Sequence, residues 1–156
     1  MNLNIGDNAP DFTAQTNGGK TISLSDYKGQ WLVLYFYPKD NTSGCTKEAC
    51  SFRDGMEDIT AESAIVLGVS PDSVKSHENF ISKHELNFDL ISDQDTSICQ
   101  SYNAYGEKSM YGRKYMGVIR STYIINPDGK IAYINSKVKA EGHAQEIIKE
   151  LKKPRG

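Results

Sequence analysis

The sequence predicts an α/β fold with a mixed central sheet flanked by helices, and three observations support this. The segments 31–37 and 64–69 are apolar along their whole length, as strands covered on both faces are. Each is followed by a segment whose apolar residues have helical spacing. Two further apolar segments flank Asn126-Pro127-Asp128-Gly129, a hairpin turn signal, so part of the sheet is expected to be antiparallel.

The N-terminal part predicts a β-hairpin. Residues 11–15 and 21–24 have the character of short strands, and Asn17-Gly18-Gly19 between them is a turn. Residues 25–29 predict one turn of helix with a glycine stop, and the buried strand 31–37 follows.

A polar turn at residues 40–44 then leads into a helix that is expected to run from Cys45 to Ile59. Apolar residues recur on one face of this helix, and Cys45 is the first of them. The members of this apolar face are Cys45, Ala49, Phe52, Met56 and Ile59.

The remaining elements alternate in the same way. Asp72 or Ser73 is expected to cap a helix that runs to about residue 85. The Gly- and Tyr-rich segment 103–119 is predicted to be a loop. The other predictions are strands at 64–69, 88–91, 120–125 and 131–135, and helices at 95–102 and 144–151.

Composition excludes several classes of protein. A chain of 156 residues is expected to form a single domain, 1–156. Its net charge of −2 gives no basic field for nucleic acid, and no segment approaches the roughly 20 apolar residues of a membrane span. The N-terminal residues do not resemble a secretory signal, so the three cysteines indicate a reducing, cytoplasmic environment.

Cys45 stands where a strand, a polar turn and a helix meet. The first turn of a helix has unpaired N–H groups and the positive end of the macrodipole, and both favour a thiolate over a thiol. Its place on the apolar face directs the sulfur into a pocket. Glu48 lies on nearly the same face and opposes ionisation, so a cation must be close if Cys45 is a nucleophile. The alternative is that Cys45 is an inert, buried, small hydrophobic residue.

A single cysteine at a strand–helix junction of an α/β sheet is typical of a thioredoxin-like fold. The Cys-x-x-Cys motif of thioredoxin is absent, which argues against a general disulfide exchanger. Cys45, Cys50 and Cys99 lack the spacing of a zinc site, and His77, His84 and His143 stand alone in the sequence. We therefore expect no metal and no cofactor.

The motif Pro38-x-x-x-Thr42-x-x-Cys45, followed by Thr-Lys-Glu-Ala-Cys50, resembles the active-site signature of the peroxiredoxins. More closely, the chain is similar to their bacterioferritin comigratory protein (Q-type) subfamily. Ser43 departs from the proline often found there, and Cys99 has no role in the family pattern. Further segments that resemble the subfamily are 9–12, 68–73, 110–112 and 120–123.

The resemblance implies a peroxidase that reduces hydrogen peroxide and organic hydroperoxides. The Cys45 thiolate would attack the peroxide and become a sulfenic acid. Thr42 would contact the peroxide, and Pro38 would shield the sulfur from water. Arg120 would be the required cation, held by Glu48 in a charge-assisted hydrogen bond. Each of the four supporting residues also has an ordinary alternative as a helix cap, a strand terminator or a surface charge.

Turnover also requires that the sulfenic acid be resolved, and Cys50 is the nearest thiol in the sequence. On an intact helix the Cα atoms of residues 45 and 50 are about 8 to 9 Å apart. A disulfide needs them within roughly 7 Å. The first turn or two of the helix is therefore expected to unwind on oxidation, whereas Cys99 is expected to pack in the core.

The resemblance further implies a monomer that thioredoxin, or a similar dithiol, recycles. Two other functions remain open from the sequence. One is a peroxide sensor that relays oxidation to a partner protein, and the other is a redox-inert module.

Overall fold

The computed structural model describes residues 3–153, apart from the side chain of Met110. Within them, nine strands and four α-helices alternate along most of the chain, with short 3-10 turns at Asn17–Gly19 and Leu24–Tyr27. The strands are β1 (Thr13–Thr16), β2 (Thr21–Ser23), β3 (Trp31–Phe36), β4 (Ala64–Ser70), β5 (Asp89–Ser92), β6 (Tyr105–Met110), β7 (Arg113–Val118), β8 (Ser121–Ile125) and β9 (Ile131–Asn135). The helices are α1 (Ser43–Ala61), α2 (Val74–His84), α3 (Ser97–Ser101) and α4 (His143–Leu151).

Seven strands form the central sheet in the order β2-β1-β5-β4-β3-β8-β9. The three inner strands β3, β4 and β5 are parallel, whereas β1 and β2 on one side and β8 and β9 on the other pair antiparallel. The predicted mixed sheet is confirmed. The predicted N-terminal hairpin is also confirmed, because β1 pairs with β2 from Thr13 opposite Ser23 to Gln15 opposite Thr21.

Strand β3 is buried on both faces, as its continuous apolar sequence predicts. Its alternate side chains enter two separate cores. Val33, Tyr35 and Tyr37 pack with α1, α2 and α4 on one face. Leu32, Leu34 and Phe36 pack on the other face with α3 and the N-terminal segment.

Helix α1 begins at Ser43, two residues before the predicted start, so Cys45 is its third residue. Helix α2 is capped by Ser73 and not by Asp72, since the Ser73 hydroxyl accepts a hydrogen bond from the Ser76 N–H at 3.1 Å.

The prediction of a loop at residues 103–119 is wrong. This segment forms a two-stranded hairpin in which β6 and β7 pair from Tyr105 opposite Val118 to Met110 opposite Arg113. Tyr111 and Gly112 at the turn have φ values of 53° and 78°, as a type I′ turn requires. The strands are largely exposed and polar, so they lack the apolar alternation that identifies strands in a sequence.

Strand direction brings distant parts of the chain to one edge of the sheet. Because β8 runs antiparallel to β3, the start of β8 lies beside the end of β3, with Phe36 opposite Ser121. Arg120, just before β8, therefore reaches the place where α1 begins. Among the helices of the described residues, none combines the length and apolar character that a membrane crossing requires.

Candidate active site

Cys45 lies in the first turn of α1 and is only 1% exposed. In this turn the backbone N–H groups point toward the helix start without helical partners. The Cys45 sulfur accepts a hydrogen bond from Nη2 of Arg120, with 3.2 Å between nitrogen and sulfur. The thiol is thus enclosed, and a guanidinium group contacts it directly.

Arg120 also contacts Glu48. Its Nη1 donates to Oε1 of Glu48 at 2.5 Å, and the side chains of Arg120 and Glu48 are 19% and 0% exposed. The same guanidinium group therefore bridges a carboxylate and the Cys45 sulfur. This arrangement supplies the cation that a reactive thiol beside Glu48 needs.

The charges of this pair are set by burial. Burial raises the pKa of Glu48 from its ordinary value to about 7, although Arg120 acts in the opposite direction. Burial also works against the charge of Arg120, but Glu48 and Cys45 hold the pKa of Arg120 above its usual value. The raised pKa of Glu48 weakens its repulsion of a thiolate, while the cation of Arg120 stays beside the sulfur.

Thr42 and Pro38 flank the sulfur in sequence, in the loop between β3 and α1. The Thr42 carbonyl accepts from the Thr46 N–H at 2.8 Å, which makes Thr42 the N-cap residue through its backbone. Its hydroxyl makes no capping bond and donates instead to the carbonyl of Lys39 at 2.9 Å. Pro38 is half-buried, two residues after the end of β3.

The same loop is fixed by the buried side chain of Asp40, which the sequence analysis treated only as a turn residue. The Tyr37 hydroxyl donates to Oδ1 of Asp40 at 2.6 Å, and the Ser76 hydroxyl donates to Oδ2 at 2.8 Å. Nδ1 of His77 lies 2.8 Å from the same Oδ2. The Asp40 N–H donates to Oδ2 of Asp72 at 2.8 Å. These bonds connect the loop before α1 to the start of α2.

The hydrogen bonds also indicate where the protons of this cluster are. Nε2 of His77 lies 2.9 Å from the carbonyl oxygen of Ile91, so this nitrogen must be the donor. Nδ1 faces a carboxylate, so one further proton lies between His77 and Asp40. Burial works against a charge on Asp40, but hydrogen bonds from His77, Tyr37 and Ser76 hold the pKa of Asp40 below its ordinary value. These contacts hold the Asp40 side chain in place.

Asp40, Asp72 and His77 also have the spacing of a metal ligand set, since one possible ligand atom of each lies within 4.8 Å of the others. Their oxygen and nitrogen atoms take part in the hydrogen bonds described above. We therefore assign the cluster to fixing the loop.

A second group that sequence reasoning missed is His143. It is fully buried at the start of α4, and its Nε2 lies 2.7 Å from the Thr122 hydroxyl and 3.9 Å from Oε2 of Glu48. Burial lowers the pKa of His143, so its ring is neutral near pH 7. No local motif connects His143 with Glu48, and only the packing of α4 on α1 brings them together.

The three cysteines are free thiols in different surroundings. Cys50 is half-buried on α1, five residues after Cys45. Cys99 is fully buried in the core on the opposite face of the sheet from Cys45. Burial and the nearby Asp93 raise the pKa of Cys99 far above its ordinary value, so it stays a thiol. Of the residues proposed from the sequence, Arg120 contacts both Cys45 and Glu48.

Comparisons with known proteins identify relatives of this chain. A model of the AhpC/TSA family matches residues 5–134. The chain is 44% identical over 151 residues to a putative peroxiredoxin bcp of Coxiella burnetii, covering 97% of this chain and 100% of that protein. It is 43% identical over 152 residues to peroxiredoxin Bcp of Bacillus subtilis, covering 97% of each.

A comparison with solved structures finds the same family. The crystal structure of a PrxQ mutant from Xylella fastidiosa superposes with a TM-score of 0.92 at 41% identity, covering 97% of each chain. The resemblance found in the sequence is confirmed over nearly the whole chain. The protein therefore belongs to the AhpC/TSA family as a peroxiredoxin of the Bcp, or Q, type, and is a thiol peroxidase.

Proposed function

We propose that this peroxidase reduces hydroperoxides with the Cys45 thiolate as its nucleophile. The observation that carries the proposal is the contact of 3.2 Å between the Arg120 guanidinium and the Cys45 sulfur. In the reaction an S–O bond forms as the O–O bond of ROOH breaks. The sulfur is oxidised to a sulfenic acid, and the departing RO⁻ takes up a proton and leaves as alcohol or water.

The surrounding residues support this step in different ways. Arg120 stabilises the thiolate and the charge that develops on the peroxide, while Glu48 holds the guanidinium in place. The Thr42 hydroxyl already donates to Lys39, which leaves its lone pairs to accept a hydrogen bond from the O–H of the peroxide. Pro38 shields the sulfur from water.

Resolution follows from the position of Cys50. Its thiol attacks the sulfur of the Cys45 sulfenic acid, a disulfide forms, and water leaves. Because both cysteines lie on α1, the beginning of this helix must unwind first. A dithiol reductant then restores both thiols by disulfide exchange, and we propose thioredoxin as this partner and a monomeric, cytoplasmic peroxidase.

The substrates we propose are hydrogen peroxide and organic hydroperoxides. A bacterioferritin comigratory protein of Xanthomonas campestris, described as having alkyl peroxide reduction activity, is 40% identical with a TM-score of 0.86, covering 90% of each chain. That relative supports organic hydroperoxides as a substrate class for this chain.

The test is peroxide consumption coupled to thioredoxin and its reductase, together with mass mapping of the cysteines after one equivalent of peroxide. Replacing Cys45 with serine keeps the size of the side chain but removes the thiolate, so we expect activity to vanish while the circular dichroism spectrum is retained. Substantial activity in Cys45→Ser would overturn the assignment of the nucleophile. Stoichiometric oxidation without turnover would instead favour a peroxide sensor.

A further inference from the structure

His143 lies next to the carboxylate oxygen of Glu48 that Arg120 does not contact. Arg120 donates to Oε1, whereas Nε2 of His143 is 3.9 Å from Oε2. Both side chains of this second contact are completely buried. Within the described residues, neither Oε2 of Glu48 nor Nδ1 of His143 has a hydrogen-bond partner. We propose that His143 is a positioning residue for Glu48, and through Glu48 and Arg120 for the Cys45 thiolate.

The ring of His143 is held firmly. Its Nε2 shares a hydrogen bond of 2.7 Å with the hydroxyl of Thr122 on β8, and Phe52 of α1 packs against the ring at 5.4 Å with an angle of 88° between the two planes. The ring therefore has little freedom to turn away from Glu48. The charged groups that face it are Glu48 from α1, Arg120 from the start of β8, and Glu146 from its own helix at 3.5 Å from Nδ1.

The ring is neutral, so its single proton can be on either nitrogen. With the proton on Nε2, the N–H bond is directed at the Thr122 hydroxyl, and its positive end lies near Oε2 of Glu48. With the proton on Nδ1, the lone pair of Nε2 accepts from the Thr122 hydroxyl, and the negative side of the ring then lies near the carboxylate. The first arrangement gives Oε2 of Glu48 a favourable dipole to face, and the second does not. The position of this one proton therefore influences the orientation of the Glu48 carboxylate.

The orientation of Glu48 affects the Cys45 sulfur through Arg120. With a dipole near Oε2, the carboxylate can keep that oxygen toward His143 and only Oε1 toward the guanidinium. Without this dipole, Oε2 of Glu48 is stabilised more by turning to Arg120. The resulting bidentate pair would compete with the contact between Nη2 of Arg120 and the Cys45 sulfur. His143 thus favours the arrangement in which one guanidinium group contacts both partners.

The experiment compares His143→Phe with His143→Gln. Phenylalanine keeps a flat ring but removes both nitrogens, whereas glutamine retains an N–H donor. We expect His143→Phe to lower the fraction of Cys45 present as thiolate, read from ultraviolet absorbance, and to lower the rate of peroxide attack by about 3- to 10-fold. His143→Gln should stay closer to the wild type. His84→Phe, a change on α2 away from the site, is the matched control and should alter neither quantity.

A double-mutant cycle tests whether His143 acts on Cys45 through Glu48. In a Glu48→Gln background, His143→Phe should have almost no further effect on the thiolate fraction. Three results would each overturn the proposal: a folded His143→Phe protein with an unchanged thiolate fraction, an undiminished defect in the Glu48→Gln background, or equal defects in the phenylalanine and glutamine variants.

A measurement on the wild-type side chain covers the case in which His143→Phe does not fold. The nitrogen chemical shifts of the His143 ring report its tautomer, and they should change on Glu48→Gln. Unchanged shifts would contradict the proposal. The proposal rests on the function proposed above for Cys45, but the ring shifts and the thiolate fraction are both measured without peroxide. A failed positioning role and a failed peroxidase assignment therefore give different results.

Discussion

Arg120 and Glu48 act on the Cys45 sulfur in opposite ways, because the cation favours the thiolate and the carboxylate opposes it. Replacing Arg120 with alanine removes a charge-assisted hydrogen bond and leaves Glu48 in place. We expect the rate of peroxide attack to fall by about 10- to 100-fold and the thiolate fraction to fall with it. Glu48→Gln keeps the arginine and should reduce the rate of peroxide attack less than Arg120→Ala does.

Stopped-flow oxidation and ultraviolet titration of the thiolate check both variants. If Arg120→Ala changed neither the rate nor the titration, Arg120 would have no part in activating Cys45, and its contact with the sulfur would be merely structural.

Glu48 also makes stability depend on pH. Its pKa rises from an ordinary value of 4.5 to about 7 in the folded protein, so folding takes up a proton between these values. The stabilisation is complete below about pH 4.5 and is lost as the pH rises to about 7. Relative to Glu48→Gln, the wild type should lose up to about 3 kcal/mol of unfolding free energy over this window.

Urea unfolding of the wild type and of Glu48→Gln at several pH values measures this difference. Parallel pH profiles for the two proteins would show that folding does not raise the pKa of Glu48.

At the scale of residues, the sequence predicts that Cys45, Glu48 and Arg120 meet in one site, because the motif spacing and the need for a cation both point to them, and Arg120 does contact the other two. It did not identify Asp40, His77 or His143. An aspartate in a polar turn and a single histidine in a helix have no distinctive local pattern. Their roles depend on burial and on partners far along the chain, which only the packed structure defines.

At the scale of elements, helix α1 holds both Cys45 and Cys50, and this geometry is incompatible with a disulfide between them. We therefore expect the amide protons of residues 46–54 to lose protection from hydrogen exchange when the protein is oxidised. Strand β3, which is hydrogen-bonded on both sides and buried, should remain protected.

Cys50→Ser is the matched control for this exchange measurement, because it can form a sulfenic acid at Cys45 but no disulfide with residue 50. It should keep its protection after one equivalent of peroxide. Equal exchange in reduced and oxidised wild-type protein would exclude Cys50 as the resolving thiol.

Elements that combine a clear apolar pattern with a clear boundary were predictable. Strands β3 and β4 are continuous apolar segments, and the predicted hairpin turn at residues 126–129 is found between β8 and β9. The hairpin of β6 and β7 was not predictable in the same way. Its exposed strands do not contribute an apolar face, and its turn is formed by Tyr111-Gly112 and not by Asn-Gly.

At the scale of the whole molecule, the central sheet separates the thiols. Cys45 belongs to the core on the face of α1 and α4, and Cys99 belongs to the core on the other face. We expect Cys99→Ser to leave thioredoxin-dependent turnover nearly unchanged, although the buried hydroxyl should lower stability by about 1 kcal/mol. Loss of turnover in this variant, with the fold retained, would make Cys99 the resolving partner.

The mixed character of the sheet could be predicted from alternating strands and helices together with two hairpins. The strand order could not, because β5 inserts between β1 and β4, a pairing between segments far apart in the sequence. The same holds for the active site. Motifs in the sequence predict several of its residues, but they do not predict that α1, α4 and the start of β8 meet, because this depends on the complete fold.

The buried pair of Asp40 and His77 determines how far the oxidised protein can open. It secures the chain at a point just before α1, so the proposed rearrangement that joins Cys45 to Cys50 would have a fixed upstream end. Only one or two turns of a single helix then have to reform after reduction, and helical segments of that size relax in about a microsecond or less. We therefore expect recovery of the peroxide-ready state to be a local winding step that is too fast to limit the catalytic cycle.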